Sequence, residues 1–205
     1  MNLLAKLITY IFQPLLMPTL VFYTILFHVN NSSNLSEKGR WTIISLIFIT
    51  TCLVPMLTVL MFKATNVIKD LNMNDRRDRY LPFVFISLFY LVVSYMIRTQ
   101  EWMTPDMLVA FFAITTVVIL TNAITFFWKI SAHAAGVVGW LGFVLGLQQM
   151  YPSTNTLFWP LVTAILLSGI VSWSRLYLNA HILKEIFAGA ALGFIISFAA
   201  MIMFG

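Results

Sequence analysis

Long apolar stretches separated by short polar connectors constrain the fold of this chain more than any other feature. A helix needs about 20 apolar residues to cross a bilayer, and seven stretches of the chain reach or approach that length. They lie at about Leu7–His28, Trp41–Phe62, Leu81–Ile97, Met107–Trp128, His133–Gln148, Leu157–Trp173 and Ile182–Phe204. Only 9% of the residues are charged, whereas a soluble domain carries roughly 25%. We therefore expect an all-α, polytopic membrane helical bundle that forms a single domain over residues 1–205.

The fifth stretch, about His133–Gln148, is the least certain span because it is short and rich in glycine. If it does not cross fully, the bundle has six spans instead of seven. Small residues recur at four-residue spacing in this stretch and in the seventh, where they are Gly189 and Gly193. Because small residues let helix backbones approach closely in lipid, we expect these two helices to pack inside the bundle. In the first stretch, Gln13, Pro14 and Pro18 predict a kink.

The polar stretch Ser174–Glu185 holds the most compact group of reactive side chains. In a helix, His181 and Glu185 would share a face, because they are four residues apart. A carboxylate beside an imidazole fixes its tautomer and leaves the other ring nitrogen free to attack. Arg175 offers a forked, permanently charged donor for phosphate oxygens. Taken alone, these residues are explained equally well by a helix start with ordinary charges.

A second histidine opens the fifth stretch, in the segment Lys129–His133. Ser131 is a suitable helix N-cap, and the positive end of the helix dipole favours an anion there. His133 would then lie in the first turn, close to a bound phosphate. Taken alone, an interfacial histidine that binds a carbonyl or water is the commoner explanation.

The loop Lys63–Arg79 is the third polar patch, and its part from Lys69 onward holds the cations Lys69, Arg76, Arg77 and Arg79. Three aspartates nearly balance these charges, so a mixed-charge surface loop explains the patch when it is read alone. Two spans separate this loop from Ser131, and two more separate Ser131 from Arg175. All three patches therefore emerge on one side of the membrane, where they can share a site. His28, Glu37, Glu101 and Asp106 fall on the opposite side by the same count.

In this order, the three patches resemble the signature of the type-2 phosphatidic acid phosphatase superfamily. The matching residues are Lys69…Arg76, Ser131-Ala-His133 and Ser174-Arg175…His181…Glu185, so the resemblance covers about residues 63–205. The chain departs from the family pattern in four respects. Two whole spans lie between the first and second parts of the signature, more than in many relatives. Arg77 instead of proline follows Arg76, so that Arg79 is an alternative counterpart of the motif arginine. Ile130 and Ala132 replace a proline and a glycine, and Glu185 replaces an aspartate.

The resemblance implies an integral-membrane lipid phosphatase that needs no metal or other cofactor. His181 would be the nucleophile that forms a phosphohistidine, Glu185 would orient it, and His133 would serve as the general acid. The residues implied in phosphate binding are Lys69, Arg76 or Arg79, Ser131 and Arg175. The implied substrate is a membrane lipid of the phosphatidic acid, phosphatidylglycerophosphate or polyprenyl diphosphate class. The implied setting is the bacterial cytoplasmic membrane, with no nucleic acid partner; the sequence leaves the oligomeric state open.

Two other functions remain open at this stage. A transporter or scaffold could bind an anion in the same cationic cluster without any reaction; interrupted or charged helices near mid-bilayer would favour it. A phosphotransferase would pass the phosphoryl group to an acceptor other than water. Orientation also stays open. Nine of the twelve Lys and Arg residues lie on the motif side, but six of those nine are proposed phosphate ligands or their neighbours.

Overall fold

The chain folds into a bundle of α-helices, which a computed structural model describes for residues 2–29, 35–68, 77–152 and 155–205, without the side chains of residues 77–79. Within these ranges there is no β-strand. The helices are α1 (Asn2–Ile11), α2 (Met17–His28), α3 (Glu37–Phe48), α4 (Val54–Ala64), α5 (Arg77–Ile97), α6 (Pro105–Phe127), α7 (Ala132–Met150), α8 (Phe158–Tyr177) and α9 (Leu183–Phe204). The expected all-α membrane bundle is confirmed.

Six parts of the described chain are long and apolar enough to cross a membrane. They are Asn2–His28, Glu37–Ala64, Tyr80–Ile97, Pro105–Phe127, Asn155–Tyr177 and Leu183–Phe204. The fifth predicted stretch is absent from this set, although it forms α7 with 19 residues. Its glycines and its terminal His133 and Gln148 reduce its hydropathy. The lower hydropathy of α7 costs little free energy in a membrane, because α7 lies among other helices and has little surface to expose to lipid.

The helix α7 is the centre of the bundle, and α9 packs along it. A Cβ atom on Gly189 would collide with the Ser131 carbonyl oxygen, and one on Gly193 would collide with the carbonyl oxygen of Ala135. On the facing helix, a Cβ on Gly142 would lie 2.8 Å from the Phe194 carbonyl oxygen. Glycine is thus required on both sides of this seam, as the small-residue spacing predicts. The seam fixes the start of α9 against the start of α7.

The first two membrane segments are both interrupted. Between α1 and α2, Gln13 adopts an extended conformation and Pro14 starts a single 3₁₀ turn, Pro14–Leu16, which confirms the predicted kink. Between α3 and α4, residues Ile49–Leu53 form one π-helical turn, which the sequence analysis did not predict. The Tyr90 hydroxyl of α5 donates to the Thr51 carbonyl oxygen of that turn at 2.9 Å. Such turns occur mostly as local bulges inside α-helices.

Contacts at the two ends of the bundle agree with the count of crossings. At one end, the Tyr80 ring at the start of α5 lies 4.9 Å from the Phe126 ring at the end of α6. At the other end, the Tyr151 hydroxyl after α7 donates to Asp106 in the first turn of α6 at 2.8 Å. The first of these ends also holds the start of α7 and the α8–α9 turn. It is called the motif end below.

Candidate active site

The turn between α8 and α9 brings His181 back over Arg175. After Tyr177 the chain passes through Asn179, whose φ of 51° is left-handed. The Asn179 N–H then donates to the Leu176 carbonyl at 2.9 Å, and the Ala180 N–H donates to the Arg175 carbonyl at 3.1 Å. These two bonds form a Schellman motif, which ends a helix and reverses the chain, and asparagine tolerates the left-handed position. These two backbone hydrogen bonds fix the conformation of the turn without any side-chain hydrogen bond.

A short hydrogen bond joins the two side chains that the sequence analysis paired. The distance from His181 Nδ1 to Glu185 Oε2 is 2.7 Å, and both side chains are largely buried. The same carboxylate oxygen accepts the backbone N–H of Ile182 at 3.3 Å, at the N-terminus of α9. The N–H groups of a first helical turn favour a carboxylate there. Glu185 therefore reaches His181 despite being one methylene longer than aspartate. Among the described residues, the Nε2 atom of His181 has no hydrogen-bond partner.

A backbone hydrogen bond connects the second patch to the third. The Ser131 N–H donates to the Glu185 carbonyl oxygen at 3.2 Å. The Ser131 hydroxyl accepts the Ala134 N–H at 3.3 Å, so Ser131 is the N-cap of α7, as predicted. Ser131 is fully buried. The Ser131 side chain thus caps the N-terminus of α7, and its backbone N–H binds the first turn of α9.

The first helix, α1, contributes to this site, although the sequence analysis placed it outside the signature. The Nε2 atom of His133 donates to the Thr9 carbonyl oxygen at 3.3 Å. The Thr9 hydroxyl lies 3.3 Å from the Ser174 hydroxyl on α8. A carbonyl only accepts, so the proton on Nε2 stays in place and Nδ1 is the nitrogen available for exchange. No sequence pattern marks Thr9, because its partner is 124 residues away in the chain.

Arg175 supplies an unused donor beside the two histidines. Its Nε atom is buried and has no hydrogen-bond partner in the described part of the chain. Electrostatic interactions connect Arg175 with both His133 and His181, which are also coupled to each other. A buried guanidinium N–H without a partner is costly, so such a group calls for an explanation. An anion bound between the two imidazoles would supply the missing acceptor.

The imidazole of His181 is held neutral by its surroundings. Burial lowers the pKa of His181 below its ordinary value, and the positive charges of Arg175 and Lys129 lower it further. The hydrogen bond and the negative charge of Glu185 oppose this shift. The net direction is downward, so the ring keeps a free lone pair at neutral pH. A neutral imidazole with one nitrogen oriented by a carboxylate is the arrangement of a nucleophile or general base.

The first patch contributes least to this picture. Lys69 and Arg76 lie outside the described residues, and the side chain of Arg79 does as well. The backbone of Arg79 lies in the first turn of α5, which the Tyr80–Phe126 contact places at the motif end. His28, to which no function was assigned, lies at the opposite end, where its Nδ1–H donates to the Thr156 carbonyl oxygen at 3.0 Å. Among the described residues, no three His, Cys, Asp or Glu side chains group as metal ligands.

No protein-family model, curated protein or solved structure matches this chain.

Proposed function

We propose that the protein is an integral-membrane phosphatase that hydrolyses the phosphate or diphosphate headgroup of a lipid through a phosphohistidine. The observation that carries this proposal is the His181–Glu185 pair beside Arg175, whose buried Nε atom lacks a partner among the described residues. The hydrogen bond between Ser131 and Glu185 holds the second histidine-bearing helix at the same place. A nucleophile, its orienting carboxylate and a free cationic donor are the parts that phosphoryl transfer needs.

In the first step, the Nε2 lone pair of His181 attacks phosphorus, and the bond from phosphorus to the lipid oxygen breaks. That oxygen takes a proton from Nδ1 of His133. Burial and the charge of Arg175 favour the neutral ring in the free protein, so its protonated form depends on the negative charge of the bound substrate. In the second step, His133 accepts a proton from water, whose oxygen attacks the phosphohistidine and releases phosphate. Glu185 stabilises the positive charge on the His181 ring during both steps. Arg175, with Lys129 and the cations of the loop Lys63–Arg79, neutralises the phosphoryl oxygens.

The membrane bundle suits a substrate whose headgroup reaches the bilayer surface while its tail stays in apolar surroundings. Phosphatidic acid, phosphatidylglycerophosphate and polyprenyl diphosphate all meet this description. All the groups in the two steps above come from the chain itself, so we expect chelators to have little effect on turnover. The proposal also places the protein in a bacterial cytoplasmic membrane. It assigns hydrolysis to the protein, instead of transfer of the phosphoryl group to another acceptor.

The decisive experiment measures phosphate release from these three lipids by purified protein in detergent. His181→Ala removes the nucleophile, so turnover should fall to background. Glu185→Gln should lower kcat by about 10²-fold or more, as expected for a catalytic imidazole that loses its charged partner, and it should leave KM nearly unchanged. His28→Ala is the matched control, because that histidine lies at the opposite end, and it should retain activity. Full turnover by His181→Ala would refute the assignment.

One observation favours anion transport as a second candidate. The interruptions at Gln13 and at Ile49–Leu53 lie next to each other, and the Gln13 amide points at Cys52 Sγ, 3.5 Å away. Paired helix breaks inside the membrane are typical of transporters. Proteoliposomes separate the two functions. Phosphate or lipid phosphate flux without any phosphate release, and unchanged in His181→Ala, would support transport and exclude the phosphatase.

A further inference from the structure

We propose that the cavity inside the bundle binds one hydrocarbon chain of the substrate lipid, so that the tail enters the protein instead of staying in the bilayer. The identity of the lipid as a phosphate substrate depends on the function proposed above. The cavity itself does not, because its shape and lining are properties of the fold. An acyl chain and a prenyl chain share the chemistry required, and the experiment below distinguishes them.

The cavity is large enough for part of a lipid tail. Its volume is about 240 Å³, compared with the roughly 150 Å³ of an apolar engineered cavity that stays dry and binds benzene. It lies between α2, α5, α6 and α7, and its walls are almost entirely apolar. Val21, Ile86, Val117, Trp140 and Phe143 are among the residues that line it.

The cavity begins beside the candidate site and runs toward mid-bilayer. On α7 its lining residues extend from Ala132 to Phe143. At a rise of about 1.5 Å per residue this is roughly 16 Å, or about half of a hydrocarbon core roughly 30 Å thick. Ala132 is the direct neighbour of both Ser131 and His133. A lipid with its phosphate at His181 would therefore have the Ala132 end of the cavity next to its headgroup.

The helix interruptions contribute to the walls of this cavity. Pro14 and Leu15 from the 3₁₀ turn before α2 line one side. Tyr90, whose hydroxyl is bound to the π-helical turn at Thr51, lines another. On α7, Gly136 and Gly139 also line the cavity, and a Cβ on Gly136 would lie 2.9 Å from the Met17 side chain. The 3₁₀ turn thus forms part of the cavity wall, and the π-helical turn holds one of its lining side chains.

Polar groups at the cavity are mostly engaged elsewhere, which makes the space suitable for hydrocarbon and poor for ions. The Asn122 amide donates to the Phe83 carbonyl at 3.2 Å and to the Ser87 hydroxyl at 2.8 Å. The Trp140 indole donates to the Thr24 hydroxyl at 3.1 Å. An occupant would therefore contact mainly apolar surface. A close-fitting hydrocarbon chain is favoured there, because it removes this surface from water or replaces looser contacts with lipid.

Photo-crosslinking tests the proposal with the full-length protein in nanodiscs. The probes are two lipid phosphates that carry a diazirine in mid-chain, one diacylglycerol phosphate and one polyprenyl phosphate, and mass spectrometry locates the labelled residues. We expect label on the cavity faces of α5, α6 and α7 for the probe whose chain is accepted. An excess of unlabelled lipid phosphate should suppress it, whereas diacylglycerol or polyprenol alone should not. Label confined to outward-facing residues such as Leu88 or Leu91, with either probe, would overturn the proposal.

A pair of valine variants adds a functional arm. Val117→Phe fills the cavity, whereas Val92→Phe adds the same volume on the exposed face of α5. We expect Val117→Phe to reduce cavity labelling several-fold and to reduce about tenfold the ratio of kcat/KM for long-chain over short-chain lipid phosphates. Val92→Phe should change neither. Val118→Phe, at a less tightly buried lining position, replaces Val117→Phe if that variant does not fold.

The two proposals fail in different ways. Cavity labelling by lipid phosphates without phosphate release would refute the phosphatase and leave the tail site in place. Phosphate release with unchanged chain-length preference in the filled cavity would refute the tail site and leave the phosphatase. Labelling that phosphate-free lipids suppress equally well would show a general lipid site and would overturn the inference about substrate.

Discussion

At the residue scale, Glu185 has two partners for one oxygen atom. Its Oε2 atom accepts both the His181 imidazole and the Ile182 backbone N–H. The second bond belongs to the helix start, and many proteins have a glutamate there for that reason alone. The first bond is what gives His181 a fixed tautomer. A glutamine at this position could still accept both hydrogens but would lack the negative charge, so it separates the structural role from the electrostatic one.

We predict that Glu185→Gln lowers the pKa of His181 further. The pKa of His181 is already below its ordinary value because of burial, and Glu185 is the group that opposes this shift. Removing the charge leaves burial and the positive charges of Arg175 and Lys129 unopposed. NMR titration of ¹⁵N-labelled histidine can measure this, because the chain has only three histidines. His28→Ala and His133→Ala assign the signals, and a higher pKa in Glu185→Gln would contradict the geometry described.

The lowered pKa of His181 also determines how the stability of the protein depends on pH. The folded protein binds fewer protons at His181 than the unfolded chain does, so acid favours unfolding. The contribution of His181 to stability is present above the ordinary imidazole pKa of about 6.5. It is lost as the pH falls below that value. Replacing His181 with a neutral residue should therefore make the melting temperature less sensitive to pH in this range.

At the element scale, the seam between α7 and α9 determines where the site residues meet. The Gly189 position faces the Ser131 carbonyl, one turn from Glu185. The Gly193 position faces the Ala135 carbonyl one turn further along. If α9 moved outward, the hydrogen bond from Ser131 to Glu185 would break, and His181 would move away from the start of α7. Close packing of two helices thus controls the geometry of a site at their ends.

We predict that Gly193→Ala destabilises the protein by about 1–3 kcal/mol, the usual cost of overpacking, and reduces activity as well. The added Cβ would overlap the Ala135 carbonyl oxygen, which is main chain and cannot rotate away. Gly169→Ala on α8 is the matched control, because a Cβ there meets nothing within 4 Å. The control should be neutral or stabilising by up to about 1 kcal/mol. Thermal unfolding in detergent, monitored for both variants, measures the difference. Equal effects would show that the seam is not tight.

At the scale of the whole molecule, the bundle has one end for the site and one end for structural contacts. The motif end holds the starts of α5, α7 and α9. The opposite end holds the Tyr151–Asp106 hydrogen bond and the contact between His28 and the Thr156 carbonyl. In a membrane, these two ends face different compartments. The candidate site can therefore be reached from one compartment only.

We predict that thiol labelling reports this asymmetry. In a Cys52→Ala background, single cysteines at Thr65, Lys184 and Glu101, all exposed positions, are treated with a membrane-impermeant maleimide in intact cells or sealed vesicles. Thr65 and Lys184 should label from the same side, and Glu101 should label from the other. Labelling of Thr65 and Lys184 from opposite sides would contradict the arrangement of crossings. The result also shows which compartment contains the candidate site.

The sequence by itself determined those features that depend on short stretches of chain. Apolar length predicted the membrane helices, the Gln13–Pro14 pair predicted the first break, and four-residue spacing predicted that His181 and Glu185 share a face. Glycine spacing likewise predicted which helices pack closely. Each of these depends on neighbours within a few turns, where the backbone geometry is nearly fixed.

Only the tertiary structure decided which groups from distant helices meet. Thr9 contacts His133 and Ser174, and the left-handed Asn179 redirects His181. Arg175 has a buried donor without a partner in the part of the chain that the structure describes. The cavity is a property of four helices together and has no pattern in any one of them. In lipid, apolar helices have no hydrophobic preference for one neighbour over another, so close packing and a few polar contacts select the arrangement. Those contacts join residues far apart in the chain, which is why the folded structure was needed to find them.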